Sequence, residues 1–116
     1  MVIDDEEIIQ TVLSGILNQL GYRTFQARSG KEGIELLTAG NEADAVLLDM
    51  VMPGLSGWET YRYLRTYWPR IPVIVITGYA NQEQIRAMLE DGLAGIVEKP
   101  FRAAQIAEKL KQVLEN

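Results

Sequence analysis

Along the chain the spacing of apolar residues keeps changing period. Short apolar runs give way to stretches in which apolar residues recur every three or four positions. Residues 1–3 (MVI) are apolar and stop at Asp4-Asp5. From residue 6 to 20, Ile8, Ile9, Val12, Leu13, Ile16, Leu17 and Leu20 form a wide helical stripe, and Gly21 supplies a stop. Residues 22–27 (YRTFQA) alternate, as a half-exposed strand does. Ser29 and Glu32 have capping-box spacing and open a helix through about Leu37, which Gly40-Asn41 ends. Residues 45–49 (AVLLD) are a continuous apolar run ending in an acid, the pattern of a strand covered on both faces. Ser56 and Glu59 form a second box, ahead of a helix carrying Trp58, Tyr61, Leu64 and Trp68. Residues 73–77 (VIVIT) are β-branched throughout and read as another central strand. Asn81 caps a helix with Ile85, Met88 and Leu89, residues 94–99 (AGIVEK) form a last short strand, and Ile106, Leu110, Val113 and Leu114 line a final helix.

Strand and helix thus alternate five times. This predicts one α/β domain over residues 1–116, a five-stranded parallel sheet doubly wound with helices on both faces. The all-apolar runs belong in the centre, and the alternating second strand and short fifth strand at the edges. The order 2-1-3-4-5 places them there.

Composition changes this picture only by exclusion. The 116 residues are 47% hydrophobic and 23% charged, enough for one core. No apolar run approaches the ~18 residues of a bilayer span, and the acidic start lacks the basic segment of a secretory signal. The expectation is a cytoplasmic protein without membrane insertion. Cysteine and histidine are both absent, which excludes disulfides, thiolate or imidazole metal sites, and any phosphohistidine made on this chain. The net charge of −5 argues against direct nucleic-acid binding.

In doubly wound sheets ligands bind beyond the carboxyl ends of the strands. At those ends stand Asp4-Asp5, Asp49, Thr77-Gly78 and Lys99-Pro100. Singly, each is ordinary: a helix cap, a turn residue, a strand end, a surface lysine. Together they would gather three carboxylates, a hydroxyl and an ammonium at one rim. Such carboxylates repel by about 1 kcal/mol per pair at 4 Å in water and by more when buried, so a cation is needed. Oxygen ligands alone point to Mg²⁺, with Mn²⁺ possible. Asp49 could then act as a nucleophile forming an aspartyl phosphate, with Lys99 and Thr77 holding phosphoryl oxygens.

The segments IDDEE, LLDMVMPGLSGWE, VIVITGY and VEKPF, in this order, resemble the receiver domain of two-component response regulators over essentially the whole chain. The phrase GLAGIVEKPF is similar to receivers of hybrid sensor histidine kinases. The resemblance implies a flavodoxin-like fold and Asp49 as phosphoacceptor. It implies Asp5 as a direct Mg²⁺ ligand, Asp4 acting through water and the Val51 carbonyl as backbone ligand. It also implies Thr77 as switch hydroxyl, Lys99 as phosphoryl partner and a cis Lys99–Pro100 bond. A histidine kinase or histidine phosphotransfer protein would be the partner, with the domain a monomer or weak homodimer. Ile96 stands where receivers commonly carry Tyr or Phe, so the face of the fourth helix, fifth strand and fifth helix is expected to switch weakly, or through Tyr79. Two alternatives are a docking module with a vestigial site and an aspartyl-phosphate phosphatase. The second usually has an acid two residues after its nucleophile, where this chain has Val51.

Overall fold

The computed structural model describes residues 1–78 and 82–115. Five strands alternate with five helices: β1 (Val2–Ile3), α1 (Glu7–Gln19), β2 (Gln26–Ala27), α2 (Gly30–Thr38), β3 (Val46–Asp49), α3 (Gly57–Tyr67), β4 (Val73–Thr77), α4 (Gln82–Glu90), β5 (Gly95–Glu98) and α5 (Ala103–Leu114). The strands form one parallel sheet in the order β2-β1-β3-β4-β5. This is the order that the edge and centre character of the strands predicts.

Alternation along the central strands splits the core into two layers. Val46, Leu48, Val73 and Val75 pack with Leu37 of α2, Tyr61 and Leu64 of α3 and Met88 of α4. Leu47, Ile74, Ile76 and Val97 pack with Leu13 and Leu17 of α1 and Ile106 and Leu110 of α5. All residues of β3 and β4 are buried. Each apolar side chain among them contributes about 1.5–3 kcal/mol on leaving water. Ile96 is half-buried against the layer under α2, α3 and α4.

The box at Ser56 and Glu59 closes in both directions: Ser56 Oγ accepts the Glu59 N–H at 3.1 Å, and Glu59 Oε1 accepts the Ser56 N–H at 3.3 Å. A cap of this kind is worth about 1 kcal/mol. The Ser29 box closes on one side only. Its hydroxyl accepts the Glu32 N–H at 3.0 Å, while the Glu32 carboxylate turns to the Arg28 N–H at 3.3 Å. Asn81 and Tyr79 lie outside the described residues.

Two expectations are corrected. The second strand, predicted over residues 22–27, is confined to Gln26–Ala27, because its ladder partner β1 offers only Val2 and Ile3. The stripe of α1 is narrower than its apolar pattern: Leu13 and Leu17 are buried, whereas Ile8, Val12 and Leu20 are exposed. A helix lying on one sheet face buries a limited arc, and Gln10 occupies part of that arc.

Candidate functional site: an acidic pocket at the carboxyl rim of the sheet

The sheet brings every predicted site residue to its carboxyl rim or just beyond. Asp4 leaves β1, Asp49 ends β3, Thr77 ends β4 and Lys99 follows β5. Asp4, Asp49 and Thr77 are 1%, 3% and 2% exposed, whereas Asp5 is open to solvent. One carboxylate oxygen from each of Asp4, Asp5 and Asp49 lies within 4.8 Å of the others.

Lys99 reaches in from the far side. Its Nζ is 3.5 Å from Asp49 Oδ1 and 4.0 Å from Glu6 Oε1. The backbone holds it beside Thr77, whose carbonyl accepts the Lys99 N–H at 2.8 Å. The lysine stem runs past Gly78, where a Cβ would make ordinary van der Waals contact with it, the nearest atom being Lys99 Cβ at 3.4 Å. The Lys99–Pro100 bond is cis, as the family resemblance implies.

Asp49 is braced from below. Gly57, the first residue of α3, leaves no space for a side chain, as a Cβ would stand 2.5 Å from Met50 Cα and 2.8 Å from the Asp49 carbonyl oxygen. Its N–H donates to the Met50 carbonyl at 3.3 Å. The Val51 N–H donates to Asp49 Oδ1 at 3.4 Å, and the Val51 side chain points into solvent.

The charges do not balance. Burial raises the Asp4 carboxyl to about 6, opposed by the Glu6 N–H and assisted by the charge of Asp49. Burial also raises Asp49, with Lys99 pulling it back down. Asp4 Oδ1 accepts the Glu6 N–H at 2.9 Å, but Asp4 Oδ2 is buried with no hydrogen-bond partner. One lysine faces three clustered carboxylates and Glu6. The cluster is all oxygen, partly open through Asp5, and holds an orphaned buried acceptor. It fits a hard divalent cation with its bound water.

Sequence reasoning missed two residues here. Glu6 shares Lys99 with Asp49, and Gln10 is buried beneath the acids, though it reads in the sequence as a polar break in the α1 stripe.

A family model for the response regulator receiver domain matches residues 1–111. This chain belongs to that family. It is a receiver domain of the two-component systems. It is 32% identical over 114 residues to sporulation initiation phosphotransferase F of Bacillus subtilis, covering 98% of this chain and 91% of that protein. It is 34% identical to the sensor kinase CckA of Brucella abortus, covering all of this chain but 12% of the kinase. Among solved structures, the receiver domain of NtrX from Brucella abortus superposes with a TM-score of 0.91 at 27% identity, covering 99% of this chain and 97% of that one. A CheY-like receiver domain protein from Methanospirillum hungatei gives 0.92 at 26% identity, covering 98% and 90%. Among the described residues of this receiver no helix is long and apolar enough to cross a membrane.

Proposed function

We propose that residues 1–116 act as one phosphoacceptor unit in which Asp49 takes a phosphoryl group from the phosphohistidine of a partner. A carboxylate oxygen of Asp49 attacks the phosphorus in line; the new O–P bond forms as the P–N bond breaks, and the bond pair leaves with the donor imidazole. The chain has no histidine, so the donor lies on another protein or domain, a histidine kinase or histidine phosphotransfer protein. Mg²⁺, with Mn²⁺ able to replace it, neutralises the acids and the transferring oxygens when bound. Asp5, Asp49 and the Val51 carbonyl would hold it, and Asp4 would act through bound water. The ammonium of Lys99 and the hydroxyl of Thr77 receive phosphoryl oxygens once they are attached to Asp49. The change of surface is then the output, in the cytoplasm.

The observation that carries this reading is the meeting of three carboxylates within 4.8 Å, with Lys99 Nζ 3.5 Å from the buried nucleophile, Asp49. Incubation with Mg²⁺ and acetyl phosphate, followed by intact mass measurement, tests it. Wild type should gain one phosphoryl group and Asp49→Asn none. An adduct that persists on Asp49→Asn, or steady phosphate release without an adduct, would overturn it.

A further inference from the structure

Gln10 is polar, sits on the sheet-facing side of α1 and is 3% exposed. Its amide nitrogen lies 3.1 Å from the Val2 carbonyl, 3.0 Å from the Asp4 carbonyl and 2.7 Å from the Ala27 carbonyl. Turning the amide over would set its oxygen against three acceptors, so the acceptors themselves fix the nitrogen's place.

The sheet explains why such a donor is needed. In a strand, the N–H and C=O of one residue point to the same side. The Asp4 N–H donates to the Ala27 carbonyl at 3.0 Å, so the Asp4 carbonyl also faces β2. The β2 residue that would answer it is Ser29, two beyond Ala27. There the chain has already left the sheet, and Ser29 caps α2. The Asp4 carbonyl is therefore aimed at a ladder that has ended, and the Gln10 amide takes the missing position. Gln26 ties the same corner from β2: its Nε2 donates to Ser14 Oγ at 2.6 Å and to the Gln10 carbonyl at 3.5 Å.

We propose that Gln10 is a positioning residue for the acidic pocket. By holding the Asp4 carbonyl in line with the sheet, it fixes the direction in which Asp4 and Asp5 leave β1, and so the spacing of their carboxylates from Asp49. This rests on reading the pocket as a divalent-cation and phosphoryl site. Gln10 touches neither group and acts through the main chain of Asp4.

Mn²⁺ is the probe, its binding followed by the loss of the free-ion electron paramagnetic resonance signal on the whole chain. Gln10→Met keeps the side-chain length without a donor and should raise the Mn²⁺ Kd about tenfold, the usual size of an outer-sphere loss. Gln10→Asn keeps an amide but stops one methylene short, and it should weaken binding in the same direction if the first variant folds poorly. Leu13→Ala, a core truncation on the same helix, should lower Tm without moving Kd. A Gln10 variant that loses Tm yet binds Mn²⁺ within twofold of wild type would overturn the proposal. Adduct formation with acetyl phosphate reads the phosphoacceptor assignment separately. Its failure in wild type would defeat that assignment, while the ratio of Mn²⁺ Kd values would still decide the role of Gln10.

Discussion

The two halves of the sheet deliver acids to the same rim by different means. β3 and β4 share four register pairs, from Val46↔Val73 to Asp49↔Ile76, and every one of those residues is buried. Asp49 therefore stands on a strand held by its own ladder and by both core layers. β1 and β2 share two pairs, Val2↔Gln26 and Ile3↔Ala27. Beyond them, the Asp4 N–H still reaches the Ala27 carbonyl, but the Asp4 carbonyl is held by the side chain of Gln10, and the corner is tied by Gln26. A main-chain ladder draws on the cooperativity of the whole core. A corner tied by single amides depends on one or two polar contacts. The pocket is as well defined as the weaker of these restraints.

The contrast can be probed at several strengths. The largest effect belongs to the central half: Leu48→Ala, at a site with no exposure, should cost about 3 kcal/mol in urea unfolding followed by tryptophan fluorescence. A loss under about 1 kcal/mol would mean the central strands are less well packed than their burial implies. Next is Gly57→Ala, whose new methyl has to displace Met50 or the Asp49 carbonyl. About 2 kcal/mol should be lost, and acetyl phosphate labelling should slow with it. Unchanged labelling would show that the support under Asp49 is not needed for reaction.

A smaller effect reads the outer acid. The Asp4 carboxyl is raised to about 6, so between its ordinary value near 4 and about 6 the metal-free native state binds a proton more tightly than the unfolded chain. Native stability without metal then falls as pH rises through that window. In the proposed site Mg²⁺ would take over the role of the lost proton, so its stabilising effect should grow over the same range. At about ten times its Kd, Mg²⁺ should raise Tm by roughly 5 °C at pH 7.5 and by almost nothing below pH 5. An equal gain at both values would place the ion away from Asp4. The smallest effect is at the edge: Gln26→Ala removes an exposed amide bonded to Ser14 and should cost about 0.5–1 kcal/mol, measured by the same unfolding.

The central half was legible because its signals are local and repeated. AVLLD and VIVIT can hardly be anything but covered strands, and their terminal Asp49 and Thr77 fall at the rim once the winding is known. Ser56 and Glu59 announce α3 within four residues, and the structure closes their box in both directions. The outer half was not legible to the same depth. Residues 22–25 alternate like a strand, but pairing depends on a partner that the alternation does not contain. Gln10 is only a polar break in the α1 stripe until the Asp4 carbonyl is placed, and Glu6 looks like helix-start acidity until Lys99 arrives from 93 residues along the chain. The unpartnered Asp4 oxygen has no trace in the sequence, since it results from the burial of Asp4 in the folded chain.

The bond from the Gly57 N–H to the Met50 carbonyl joins the two ends of the segment between them. Residues 51–56 thus form a closed handle, pinned at its base between the end of β3 and the start of α3. The handle grips Asp49 through the main-chain N–H of Val51, whose side chain is exposed, so that side chain can be exchanged without re-aiming the carboxylate, whereas Ser56 is committed to the cap of α3.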